Sequence, residues 1–203
     1  MELHEALGQI GEIRRQMART EVFRGFRSIP VAFSGILAIG ASVLQSWWIP
    51  EPTRDISSYL TIWIGVAAVG LTMAGLEMIQ RARHSTRWAR EQTWLATEQF
   101  LPCLVAGGLT TIVIVRSAEA ELWMLPGLWS IFFALGVFAT RRLLPKAIVG
   151  VACFYLAAGL FNLTMARDDL ALSPWSMGLS FGVGQLLAAA ILYRTLERDH
   201  GID

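Results

Sequence analysis

The sequence predicts an all-α, polytopic membrane protein with six transmembrane helices, both termini cytoplasmic, preceded by an amphipathic N-terminal helix. Three observations carry this. Hydrophobic residues make up 54% of the chain and mean hydropathy is +0.49, while charged residues are 16%, well under the ~25% of a soluble domain. The apolar residues gather in six runs of spanning length. The basic residues collect at alternate connections between those runs.

Residues 1–27 form the first unit. Leu3, Leu7, Ile10, Ile13 and Met17 recur every three or four positions, which puts them on one helical face. Glu5, Glu12, Arg15 and Arg19 fall on the other. This predicts a helix that lies on the membrane, docks on a partner, or folds against the protein's own loops. Arg14, Arg15, Arg19, Arg24 and Arg27 are candidate contacts for anionic lipid headgroups. The segment is charged throughout, and the apolar run after it is of full spanning length with Trp47 and Trp48 at its far end. That pattern predicts a retained helix rather than a cleaved signal peptide.

The second unit, residues 28–194, contains the spans: Ile29–Trp48, Tyr59–Ile79, Leu95–Val115, Leu122–Thr140, Ala147–Ala166 and Trp175–Tyr193. Each is long enough for a ~30 Å hydrocarbon core at ~1.5 Å per helical residue. Short connections make consecutive helices antiparallel neighbours. Residues 195–203 are a cytoplasmic tail.

The charges orient the bundle. Arg14, Arg15, Arg19, Arg24, Arg27, Arg81, Arg83, Arg87, Arg90, Arg141, Arg142, Lys146, Arg194 and Arg198 fall on one side; only Arg54, Arg116 and Arg167 fall on the other. The positive-inside rule places the first group in the cytoplasm. The compact chain and this bias point to a prokaryotic inner membrane. Trp47, Trp48, Trp123 and Trp175 crowd the opposite side as an aromatic belt. Trp63 and Trp129, a turn deeper, belong to that belt or line a ligand site.

Ile29-Pro30, Leu101-Pro102 and Leu144-Pro145 mark the starts of the odd-numbered spans, where a proline's missing N–H costs nothing. Thr20-Glu21-Val22-Phe23 and Thr97-Glu98-Gln99-Phe100 echo each other before the first span and at the head of the third. Three stacked hairpins are suggested.

Enzyme chemistry finds little support. His4, His84 and His200 all lie outside the spans, which leaves intramembrane haem or zinc sites without histidine ligands. Ser34, Ser42, Ser130 and Ser180 have no His or Lys base at depth. Cys103 and Cys153 read as small packing thiols. No nucleotide loop is present, and nothing points to a cofactor, a metal or nucleic acid.

Polar side chains inside the spans are costly in hydrocarbon and so are candidates for function. They are Glu77, Glu98, Gln99 and Gln185, with Asn162 and Gln45 nearer the outer ends. Gln99, Cys103, Ala106 and Thr110 form a small polar stripe on the third span. Gly178, Gly182, Gln185 and Ala189 form one on the sixth; Ser34, Ala38, Ala41 and Gln45 form one on the first. Such stripes suit close helix packing with amides bonding across the seam. Glu77 reaches Arg81 on its own helix; Glu98 pairs with Arg24 or Arg27, or is a protonatable site. The expectation is a non-enzymatic binding or scaffolding protein for a lipid-like ligand or a membrane or cytoplasmic partner protein. The alternative is a small transporter or channel whose polar site is formed by Glu98, Glu77, Gln99 and Gln185.

Overall fold

The computed structural model describes residues 28–84, 87–167 and 170–197. The amphipathic segment 1–27, with its five arginines, and most of the tail lie outside the described residues.

Six helices are long and apolar enough to cross a membrane, and among the described residues every regular element is helical. They are α1 (Ser28–Trp48), α2 (Ile56–His84), α3 (Arg87–Ser117), α4 (Glu119–Ala139, tightly wound up to Met124), α5 (Ile148–Met165) and α6 (Pro174–Thr195). The expected spans fall within these bounds to a few residues. α3 is the exception at its start: it begins eight residues before Leu95, so Pro102 sits inside the helix and not at its head. Proline there cannot donate to the carbonyl of Glu98, one turn back.

One end of the bundle carries Arg83, Arg90, Arg141, Arg142 and Lys146 and is called the basic end below. At the opposite, far end Asp55 starts α2. Its Oδ1 accepts hydrogen bonds from the Ser58 amide (3.2 Å) and the Ser57 hydroxyl (3.0 Å), the geometry of an N-cap. These bonds hold its carboxyl below the usual aspartate range.

Glycine sets the two tightest seams. A Cβ on Gly159 would lie 2.8 Å from the Gly127 carbonyl, and one on Gly127 2.9 Å from the Gly159 carbonyl. Both contacts are closer than a side chain tolerates, so α4 and α5 pack backbone to backbone. Gly35, Gly178 and Gly182 do the same between α1 and α6, where Gly178 lies against Ser42 and Gly182 against Ile39. Here α6 runs in wide π-type turns over Gly178–Val183.

Neighbours around the bundle run α2, α1, α6, α5, α4, α3. The last contact, between α3 and α2, is sparse. Only 6% of the crossing length of α2 is buried, against 44% for α4 and for α6. An amphipathic pattern does not predict this, because every face of α2 is apolar and hydrocarbon solvates the uncovered ones.

Candidate functional site

Three hydrogen bonds tie the helix pairs together in the far half. Trp63 Nε1 of α2 donates to Gln45 Oε1 of α1 (2.7 Å). Trp129 Nε1 of α4 donates to Thr111 Oγ1 of α3 (2.8 Å). Asn162 Nδ2 of α5 donates to Ser180 Oγ of α6 (3.2 Å). Each pair is 18 residues apart, the same spacing in each of the three hairpins. In hydrocarbon a polar group has no water to fall back on, so each bond fixes the register of its hairpin.

Gln45 does more. Its Nε2 donates to the Leu172 carbonyl (2.9 Å), which draws the α5–α6 connection into the end of the bundle. Leu172 is buried with φ at 58°, a left-handed conformation uncommon for a leucine. Burial of its side chain and the Gln45 bond hold it there.

Behind these ties lies an aromatic centre. Phe133 of α4 meets Phe100 (5.2 Å), Tyr155 (4.7 Å) and Phe181 (5.6 Å), and Tyr155 meets Phe181 at 5.3 Å between centroids. The Tyr155 ring is seated against Gly184, which leaves room for no side chain of its own. The hydroxyls of Tyr155 and Tyr59 are buried with no hydrogen-bond partner among the described residues. Sequence reading missed this centre. Single aromatics on four different helices leave no local signature.

The sequence-derived candidates are dispersed. Thr97 of α3 turns to α2, with its hydroxyl 3.5 Å from Met78 Sδ. At ~100° per residue, Gln99 then points about 160° away from α2, and Glu98 lies about 100° from Thr97; both are exposed. Glu77 shares a face of α2 with Gly70, which lies against Ser34 of α1, so it points towards α1 and is half-buried. Gln185 lies beside Gly35 at the α1–α6 seam. These four side chains are not brought together around one point. Trp63 and Trp129 turn inwards as the hydrogen-bond donors above; Trp63 is 2% exposed, so it stands apart from the exposed Trp47, Trp48 and Trp175. Cys103 is half-buried and Cys153 exposed. Among the described residues no group of three or more His, Cys, Asp or Glu is placed to hold a metal ion.

What remains is a groove. At the far end Ile56 and Leu60 of α2 pack against the cluster of Ile114, Leu122 and Leu125. At the basic end Met78 meets Thr97. Between these contacts Ile64, Ala67, Leu71 and Ala74 fall on the α3 side of α2, and Leu101, Leu104 and Gly108 on the α2 side of α3. All but Leu104 are exposed, and a Cβ on Gly108 would meet nothing within 4 Å. Between these contacts the faces that the two helices turn to each other are largely uncovered.

Fold and groove together define an all-helical, multi-pass membrane-protein class of molecule. Compared with protein families, curated proteins and solved structures, the chain matches none.

Proposed function

We propose that the protein is a non-enzymatic membrane binding protein that receives a lipid-like ligand along the groove between α2 and α3. The basic end would face the cytoplasm of a prokaryotic inner membrane, as the sorting of Lys and Arg supports. The observation that carries the reading is the uncovered apolar strip between α2 and α3, bounded by the Met78–Thr97 contact and by the packing of Ile56 and Leu60 on the Ile114, Leu122 and Leu125 cluster. A ligand already dissolved in the bilayer reaches such a site sideways, without crossing water.

The transporter reading ranks second. It draws on the wide turns of α6 at Gly178–Val183, since such segments recur at functional sites. Against it, Glu77, Glu98, Gln99 and Gln185 point in different directions, and in the far half Gln45, Trp63, Thr111, Trp129, Asn162 and Ser180 are engaged with one another.

Native mass spectrometry of the protein purified in mild detergent tests the proposal, beside solute flux in proteoliposomes. A retained apolar ligand, lost in Gly108→Leu, is expected. Solute flux without a retained ligand would overturn it. Reporter fusions after Asp55, Ala118 and Asp169 should read outside, and those after Ser85, Leu143 and Asp203 inside; the reverse at Ser85 or Leu143 would refute the six-span orientation.

A further inference from the structure

The hydrogen bonds that span 18 residues in each hairpin give the three hairpins a common count, and the seams between hairpins obey it. In each closed seam, the residue two before the second bonded partner packs on the residue three before the first bonded partner of the next hairpin. Gly127, two before Trp129, meets Gly159, three before Asn162; a Cβ on Gly127 would lie 2.9 Å from the Gly159 carbonyl. Gly178, two before Ser180, meets Ser42, three before Gln45; a Cβ on Gly178 would lie 2.7 Å from Ser42 Cβ. The hairpins thus follow one another around a pseudo-threefold ring, second to third and third to first. Carried from the first to the second, the same count pairs Thr61 of α2 with Gly108 of α3. Both are exposed, and a Cβ on Gly108 would meet nothing within 4 Å. The ring has two closed seams and a third whose matching residues do not meet.

We propose that the α2–α3 seam is a lateral gate, with a closed state in which Thr61 packs on Gly108 and Gly65 on Val105, as Gly178 packs on Ser42 and Gly182 on Ile39 between α6 and α1. The α3 side is already in place. Thr97, Leu101, Leu104 and Gly108 correspond by the same count to Ile148, Ala152, Tyr155 and Gly159 of α5, all of them buried. The α2 side suits an apolar seam. Thr61 donates its hydroxyl to the Ser57 carbonyl of its own helix (2.8 Å), just as Ser42, inside the closed seam, donates to Ala38 (2.9 Å). The helix that must move is α2, with 6% of its crossing length buried. Its Thr61 face lies about 100° round from the Leu60 side now turned to α3, so closure is a swing of α2 about α1 between two packed arrangements. The Trp63–Gln45 bond serves as the pivot and need not break, because the Trp129–Thr111 and Asn162–Ser180 bonds persist beside the closed seams. The inference goes beyond the ligand reading: an open strip exchanges its contents with the bilayer and a closed one does not, but the closure itself needs no ligand.

The full-length protein, with Cys103 and Cys153 replaced by alanine, carries one of two cysteine pairs, Thr61→Cys with Gly108→Cys or Gly65→Cys with Val105→Cys, and is oxidised in phospholipid vesicles. A disulfide needs Cβ atoms about 3.8 Å apart, and a Cβ on Gly108 now meets nothing within 4 Å, so the bond reports the closed state. Both pairs should form the bond within one chain, read as the loss of both thiols from a monomer by intact mass spectrometry. Thr61→Cys with Leu109→Cys, one residue off the seam, should not. Free thiols in both seam pairs would overturn the gate. Disulfides between two chains would overturn it and assign these faces to a second copy. Equal oxidation of the Leu109 pair would overturn it too, since α2 would then move without a defined seam. None of these outcomes bears on ligand retention, which the comparison of wild type with Gly108→Leu decides separately.

Discussion

Gln45 lies between Trp63 and Leu172, accepting from the indole of one at 2.7 Å and donating to the carbonyl of the other at 2.9 Å. One fully buried amide therefore joins α1 to α2 and to the connection that leads into α6. Both of its hydrogen-bonding ends are used, which is what a buried amide in hydrocarbon needs.

Gln45→Leu keeps the volume and removes both bonds. An indole N–H and a carbonyl are then left buried and unpaired, each at a cost of about 1–3 kcal/mol. Compensation within the membrane lowers such values, since measured interhelical bonds there average ~0.6 kcal/mol. We expect a loss of about 1–3 kcal/mol, and a smaller one for Trp63→Phe, in reversible unfolding from mixed micelles. A neutral Gln45→Leu would mean that the latch does not hold the connection in place.

Tyr155 presents the opposite case. Its ring is packed among Phe133, Phe154 and Phe181, while its hydroxyl has no partner among the described residues. Tyr155→Phe removes an unpaired polar group without altering the ring, so stability should hold or rise by up to ~1–3 kcal/mol. Tyr155→Ala should cost about 3–5 kcal/mol through the cavity it leaves. A clear loss in Tyr155→Phe, read from the same unfolding measurement, would show that the hydroxyl is bonded to something such as an internal water.

Asp55 gives a dependence on pH. The Ser57 and Ser58 bonds favour its ionised form, so its folded value lies below its unfolded one. The cap therefore contributes stability above the unfolded value near ~3.9, and that contribution is lost as pH falls through the lower folded value. Asp55→Ala should melt below wild type at pH 7, and the difference should shrink at pH 3 and below. A difference that stays constant over that range would rule out the carboxylate as the origin of the effect.

Glu98 tests the two readings that the sequence leaves open. It is exposed on α3, turned away from the α2 contact, and the segment that holds Arg24 and Arg27 lies outside the described residues. An exposed charge replaced by its amide changes stability by about 0.5 kcal/mol or less. We expect Glu98→Gln to melt as wild type does at pH 5 and at pH 8 in detergent. A pronounced drop at pH 8 alone would establish a pairing with one of those arginines.

The apolar runs alone located the six helices, to within a few residues except at the start of α3, because an uninterrupted apolar run of spanning length has few stable alternatives once backbone groups must bond within their own segment. The sequence also singled out Gln45, Gln99 and Gln185 as seam residues and Asn162 as a polar group at depth, since an amide in hydrocarbon must find a partner; Gln99 is instead exposed. Only the tertiary structure decided which partners those were. Nothing local in the sequence pairs Gln45 with Leu172, 127 residues away, or assembles Phe100, Phe133, Tyr155 and Phe181 from separate helices. Nor does it part α2 from α3. In water an apolar helix face must be covered, and pattern alone then predicts packing; in hydrocarbon lipid covers it equally well. Whether α2 closes on α3 or leaves a groove thus depends on the shapes that meet at its two ends, the Met78–Thr97 contact and the packing of Ile56 and Leu60 on the cluster of Ile114, Leu122 and Leu125, and these exist only once the chain has folded.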